Sequence, residues 1–468
     1  MRWLGPLLAL VLVGCFSETQ AQNLPGDPFG QGAAPVTLPG DPFAVASSPA
    51  EAAPRESSLS SEWALTYGGF LESRNRFAIK DGSPVALTQT AFLEMSAKKG
   101  SVGLYGSAQG VLEGAAHYWP RGHQAGWAEV KELFLTIDSA NLDFWLGQKL
   151  KVWGTSDGYN PLDLFNPLDL RDPFPSGWNL NRVPQAMAGA SFNLGPVNLE
   201  GVYLPKAGVL TMPQPGSPWE PRAFQRLRTQ VEAGFLTLVP KNAPHAWFRD
   251  GEYGLKLSAS REGWDLSLMT YHGFLDEPLY KMTLTPLGLQ ATGAYARYQA
   301  YGLAWAKGLG AGTFRGEMVI KSDYPIQGAL NWRRSRLIQT VVGWDRSFDG
   351  WLYLNFQGFL EARSLTGAQP IDAWPINVRP ADAWPTDDSH GLTYEVTAQW
   401  ALDAWAAGTR GQVYLTGEGA LNEVFLEYRR DDHWKFSVGA LFFSGERTGI
   451  LGQFGDNDCF YLTARHSF

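Results

Sequence analysis

The chain has 468 residues, with 18% charged, 13% aromatic, 52 glycines, 30 prolines and a formal net charge of −8. Length alone admits two or three soluble domains or one large barrel. The mild acidity excludes a broad nucleic-acid-binding surface, and thinly spread apolar residues (mean hydropathy −0.19) beside so much glycine and aromatic content favour strands over helices.

Residues 1–21 read as an export signal: Arg2, an apolar run from Leu4 to Val13, then Thr19-Gln20-Ala21 as the cleavage site. An overlapping lipobox, Leu12-Val13-Gly14-Cys15, offers lipidation at Cys15 as the alternative. This is the one continuous apolar run, so the mature chain is expected to hold no membrane-spanning helix. Cys459 is the other cysteine, which leaves no intramolecular disulfide after processing. Residues 22–60 are rich in Pro, Ala and Ser, carry LPGDPF twice (Leu24–Phe29 and Leu38–Phe43) and read as a periplasmic linker.

From residue 61 to 468 the expectation is a single barrel, because from Trp63 the period becomes two. In Leu392–Trp400 one face is Leu392, Tyr394, Val396, Ala398 and Trp400, and the other is Thr393, Glu395, Thr397 and Gln399. Trp434–Phe442 and Trp351–Glu361 divide in the same way. Strands of about ten residues suit a tilted membrane crossing, and Tyr203, Trp264, Trp344, Trp400 and Trp434 near strand ends suit interfacial girdles. Connections alternate between short (Lys98–Gly100, Ser260–Gly263, Arg430–Asp432) and long (Lys151–Pro184, Pro205–Asp250, Phe274–Ala291, Ser322–Ser335, Ala362–His390). The fold class predicted is therefore all-β: an antiparallel transmembrane barrel of about 18 strands, with 16 as the alternative, since closure requires an even number. Ala401–Leu421 is the doubtful stretch, where a short strand near Gln412–Thr416 restores parity. Charge and apolar residues on both faces of Trp127–Asp138 suggest a bulge. The last strand, ending in Phe468, is similar to the signal read by the outer-membrane assembly machinery.

Leu146–Pro184 breaks the pattern. Its prolines suit neither a helix nor a central strand, and it repeats one phrase, Asn160-Pro-Leu-Asp163 and Asn166-Pro-Leu-Asp169. Its aromatic residues need a surface to pack on, so the expectation is a constriction loop folded into the barrel, with Trp153, Asp157, Asp163, Asp169, Arg171, Asp172 and Arg182 at the narrowest point. Alternation puts Glu200, Arg315, Glu317, Asp345, Glu361 and Arg465 on the lumen wall, along with Glu72, Arg74, Glu94, Asp143, Lys149, Lys256, Asp265, Glu395, Glu423, Glu427 and Arg429. Arg333, Arg334 and Arg336 suggest a basic wall facing the acidic loop. Opposed charges there serve either ion selection or simple bracing. Trp153, Phe165, Phe174 and Trp178 offer a second use of the loop, a greasy path for hydrophobic cargo.

The same stretch resembles a family of porin-like Gram-negative outer-membrane proteins, largely of unknown function. The likeness rests on Gly147-Gln148, Trp153-Gly154, Asn166-Pro167-Leu168-Asp169 and Arg171-Asp172-Pro173. It extends through Leu199–Tyr203, Gly316-Glu317 and Val342–Arg346, and departs at Gln148-Lys149, where the family has Arg-Gln after the glycine. The resemblance implies a channel in the cell outer membrane, working either alone or with an inner-membrane exporter. It supplies no substrate and no oligomeric state.

Other functions find less support. The chain has no HExxH. Asp387-Asp388-Ser389-His390 looks like a catalytic cluster, but a solvated polar loop is the stronger explanation of it. Asp372-Ala-Trp-Pro375 and Asp382-Ala-Trp-Pro385 suit either a surface-binding, adhesin-like role or packing on the rim. No catalytic residue, metal or cofactor is expected. The partners expected are the outer-membrane lipid bilayer, the assembly machinery and an exporter.

Overall fold

The computed structural model describes residues 63–119, 125–239, 243–286, 288–327, 331–365 and 388–468. The export signal, Cys15, the linker, the Asp-Ala-Trp-Pro repeats and Asp387 lie outside these residues.

Strands β1 (Ala64–Ala78), β2 (Pro84–Lys99), β3 (Val102–Glu113), β4 (Gly126–Asp138), β5 (Leu142–Lys149), β6 (Gln185–Leu194) and β7 (Val197–Leu204) open the wall. After a short β8 (Leu236–Val239), the wall resumes with β9 (Glu252–Arg261) and β10 (Trp264–Phe274). It pauses again for β11 (Leu279–Thr285) and β12 (Gly288–Ala294), then continues with β13 (Arg297–Leu309), β14 (Gly312–Gln327), β15 (Trp332–Phe348) and β16 (Leu352–Leu365). β17 (Ser389–Trp400), β18 (Trp405–Tyr414), β19 (Ala420–Arg429), β20 (Trp434–Ser444) and β21 (Cys459–Ser467) complete it. Among the described residues eighteen of these strands form one sheet, while β8, β11 and β12 make a small separate sheet. β21 pairs antiparallel with β1 from Phe70↔Ser467 to Ala78↔Cys459, so the large sheet closes on itself. Closure leaves no edge, the condition for a sheet to cross lipid.

The polarity is the reverse of a soluble sandwich. In β17, Thr393, Glu395 and Thr397 are buried inside, while Leu392 is exposed outside. Aromatic rings collect at the end with short turns, where Trp405 lies between Trp400 (6.4 Å) and Tyr428 (4.6 Å).

Three stretches differ from the sequence reading. β18 is a ten-residue strand starting at Trp405, rather than a short one near Gln412. Its turn has no glycine or proline to announce it: Ala401, Leu402 and Asp403 all take positive φ (55°, 56° and 63°). Ser322–Ser335 is mostly strand, since β14 runs to Gln327 and β15 starts at Trp332. The long connection after β7 carries a helix, α1 (Arg222–Glu232), and β8, which pairs in parallel with β12. β4 does contain an irregularity, where its pairing with β3 jumps from Ser107↔Glu132 to Ala108↔Val130.

Candidate functional site: the loop across the lumen

Residues 150–184 leave β5, cross the barrel interior and return at β6. The entry is held by an asparagine exchange: Asn166 Nδ2 donates to the Lys151 carbonyl (2.6 Å), and Lys151 N–H donates to Asn166 Oδ1 (3.0 Å). The other copy of the repeat does a different job, because Asn160 Oδ1 accepts from Leu162 N–H (3.1 Å) and shapes its own turn. Asp163 ties the copies to the loop's far end through Arg182 Nε (2.7 Å).

The first half is seated in apolar packing. Trp153 and Phe165 are each 1% exposed and meet edge to face, 4.6 Å between centroids. Phe165 in turn meets Tyr271 of β10 at 5.3 Å. The wall makes room with glycine: a Cβ on Gly254 would lie 2.6 Å from the Trp153 ring and 2.8 Å from Phe165. Gly302 does the same for Leu162. Charged wall groups then grip the backbone. Glu200 accepts from Trp153 Nε1 (2.8 Å) and pairs with Lys151. Glu317 accepts from the amides of Thr155 and Ser156, and Arg315 Nη1 donates to the Thr155 carbonyl (3.0 Å). Arg315 also meets Asp345 (2.5 Å) and Asp157 (3.6 Å), and Asn355 donates to Asp157 (2.6 Å). Gln339 links Tyr159 (2.6 Å) to Glu361 (3.3 Å).

The second half meets a different wall. Arg171 closes on Asp169 (2.5 Å), reaches Glu129 (3.1 Å) and stacks on Trp127 (4.2 Å). Asp172 pairs with Arg76 of β1; burial pushes its carboxyl up, yet the guanidinium pulls harder and holds it below the usual carboxylate range. Ser176 bridges Glu72 (2.6 Å) and Arg465 (2.8 Å), which are themselves paired (2.7 Å). Phe174 packs on Trp219 and Phe443 (5.2 and 5.3 Å).

Between this half and the β1–β4 wall lies a gap of about 30 Å³, room for a water or two. Glu72, Arg74, Thr90 and Gln109 face it from the wall, and Asp169 and Asp172 from the loop. Arg74 Nε and Gln109 Oε1 are buried there without a hydrogen-bond partner. The loop's charges are thus mostly paired with one another or with the wall, and two unmet polar atoms, Arg74 Nε and Gln109 Oε1, border this gap.

Several sequence readings change. Arg334 and Arg336 point outward, exposed, with Ser335 and Leu337 facing in, so they form no basic wall opposite the loop. Trp153 and Phe165 are sealed into packing and line no path. The side chain of Trp178 lies outside the described residues. Asp388 and Ser389 are occupied structurally, accepting from Arg363 N–H (2.9 Å) and donating to Glu418 respectively. Two loop anchors went unnamed. Arg76 follows Arg74 by two on the same face, and Lys131 donates to the carbonyls of Leu180 (3.3 Å) and Arg182 (2.8 Å).

Among solved structures the fold is similar to OccAB3 of Acinetobacter baumannii (TM-score 0.50, 9% identity, covering 87% of this chain and 100% of that one). OccAB4 of the same organism has a TM-score of 0.49 at 9% identity, over 88% of this chain and 100% of that one. The outer membrane protein OpdK of Pseudomonas aeruginosa also has 0.49, at 10% identity over 86% and 99%. At such identities the likeness is one of fold. No curated protein matches by sequence. A family model does match residues 118–468, which span the crossing loop and every strand from β4 onward. This closed outer-membrane barrel belongs to the DUF1302 family, described as proteins of unknown function.

Proposed function

We propose that the protein is a porin-like channel for small polar solutes, with its narrowest passage between Asp169–Ser176 and the β1–β4 wall. The observation carrying this reading is the separation of surfaces. The loop's buried rings are used in packing, while the gap is lined by three carboxylates, the Arg74 guanidinium, hydroxyls and an amide, beside Val111, Trp127, Pro175 and Leu180. Opposed charges across a narrow, partly desolvated passage interact more strongly than in bulk water and orient a passing dipole. A route for hydrophobic cargo gains nothing from this geometry. Service to an inner-membrane exporter is compatible with the same passage.

Planar-bilayer recording of the purified protein tests the reading. Asp169→Asn with Asp172→Asn leaves Arg74, Arg76 and Arg171 in excess at the gap, so reversal potentials in a salt gradient should move toward anion preference. Unchanged selectivity in a folded, conducting variant would refute a passage at this place.

A further inference from the structure

A second group of charges lies inside the barrel, on the side of the crossing loop away from the gap. The connection after β10 is folded back there: Leu275 N–H donates to the Ala296 carbonyl (2.9 Å), and the Asp276 carbonyl accepts from Leu210 N–H (3.2 Å). The next residue along that strap, Thr211, donates its N–H to the Leu168 carbonyl (2.9 Å), which sets Asp276 beside the crossing loop. An irregularity in β14 brings two wall side chains to the same place. Its pairing with β15 passes from Lys321↔Leu337 to Tyr324↔Ser335, one residue too many, and Asp323 takes a φ of 54°. Parity is reset, so Lys321 and Tyr324 both face inward; a bulge re-aims side chains in this way.

The charges gathered here do not cancel. Asp163 is taken by Arg182 (2.7 Å) and Glu361 by Arg363 (3.4 Å). Asp276 and Glu277 are half-buried, Glu252 is 2% exposed, and among the described residues none of the three has a cation within ion-pair distance, about 4 Å. Burial, with Glu252, Glu277 and Asp163 close by, pushes the Asp276 carboxyl up, and Lys321 offsets only part of this. The Lys321 ammonium rests instead over the rings of Tyr298 (5.8 Å) and Tyr324 (5.6 Å). Those rings meet edge to face at 5.3 Å, and Tyr298 meets Tyr271 at 5.7 Å. Tyr271 is 1% exposed, and its hydroxyl, held beside Glu252 and Asp276, is left without a hydrogen-bond partner.

We infer that this corner of the lumen binds an organic ammonium group, the protonated amine of a small solute. Carboxyls in excess of cations supply the charge, and tyrosine faces that already carry one ammonium supply the cation–π surface. The unmet Tyr271 oxygen is an acceptor for an N–H. A bare metal ion suits the place less, because among the described residues no three acidic, histidine or cysteine side chains converge on one point. Lys321 is then the solute's internal competitor for the same rings and carboxyls. The inference rests on the channel reading and adds a solute class to it, at a place apart from the gap beside Asp169.

The test is calorimetric titration of the purified full-length protein in detergent, at mildly alkaline pH, with diaminobutane, butanediol and magnesium ion as probes. Wild-type protein should bind the diamine saturably and neither of the other two. Asp276→Asn with Glu277→Gln should weaken diamine binding about tenfold or more. Lys321→Met should tighten it severalfold, a sign that a residue merely bracing the fold would not give. Glu427→Gln, which removes an inner-wall carboxyl paired with Lys435 (3.4 Å), should leave it unchanged. Equal affinity for the diol, equal affinity for magnesium, or diamine binding indifferent to the paired substitutions would overturn the assignment. Should the double variant fail to fold, Lys321→Met decides, and unchanged or weaker binding overturns it. A barrel that conducts ions but binds no diamine loses this site alone and keeps its channel.

Discussion

The two halves of the crossing loop are held by different physics. Trp153–Phe165 is fixed by burial: two rings at 1% exposure, glycine seats in β9 and β13, and wall charges that grip main-chain atoms. Asp169–Ser176 is fixed by ion pairs and hydroxyl bridges around a water-sized gap, with one ring, Phe174, as its apolar anchor. Burial sets position without chemistry, whereas paired charges at a gap set position and also act on whatever passes. The comparison assigns stability to the first half and selectivity to the second.

The largest effect should come from breaking the first half. Trp153→Ala empties a fully buried site and takes one hydrogen bond from Glu200, which keeps Lys151, and should cost about 3–5 kcal/mol. The check is a lower midpoint for heat-modifiable unfolding, with noisier channel currents as the loop loosens. A wild-type midpoint would mean that the ring is not the anchor described. A smaller effect sharpens the contrast. Asp157→Asn, in the first half, weakens the Arg315–Asp345 network and should lower stability by about 1–3 kcal/mol, with little change in selectivity. The paired substitutions at Asp169 and Asp172 should do the reverse. If both variants move selectivity equally, the division between the halves fails.

Much of this was legible in the sequence, for a physical reason. A barrel wall needs strict alternation, and alternation assigns every side chain to one face once the register is known. Glu200, Arg315, Glu317, Asp345, Glu361 and Arg465 are all on the inner wall and touch the loop or its partners. The same rule places Arg334 and Arg336 outside, in step with Trp344. They were misplaced because β15 was taken to begin too late. Lys131 was hidden by the β4 irregularity, which resets parity in mid-strand. β18 was obscured by a turn that opens on Ala401 and Leu402, residue types that announce no turn, before Asp403. The loop's path was beyond reach, since which wall group meets which loop atom depends on contacts separated by as many as 289 positions in the chain.

The smallest effect concerns the seam. Phe468 exchanges backbone hydrogen bonds with Gly69, both 3.1 Å, and its ring stacks near His466 (6.3 Å). Phe468→Ala keeps the backbone pair, so stability in detergent should hardly change. The level of folded protein in the outer membrane should fall about twofold if the ring is also read during assembly. Heat-modifiable protein in whole cells is the measure, and a wild-type level would remove that role.

The central claim is that residues 150–184 close the lumen to all but a narrow polar passage. Single-channel conductance of a variant lacking residues 156–180, compared with wild type and with folding verified by heat modifiability, tests it most directly. The account predicts a several-fold rise in conductance with weakened ion selectivity. A folded barrel whose conductance does not rise would contradict it, because the loop would then not be what limits flow.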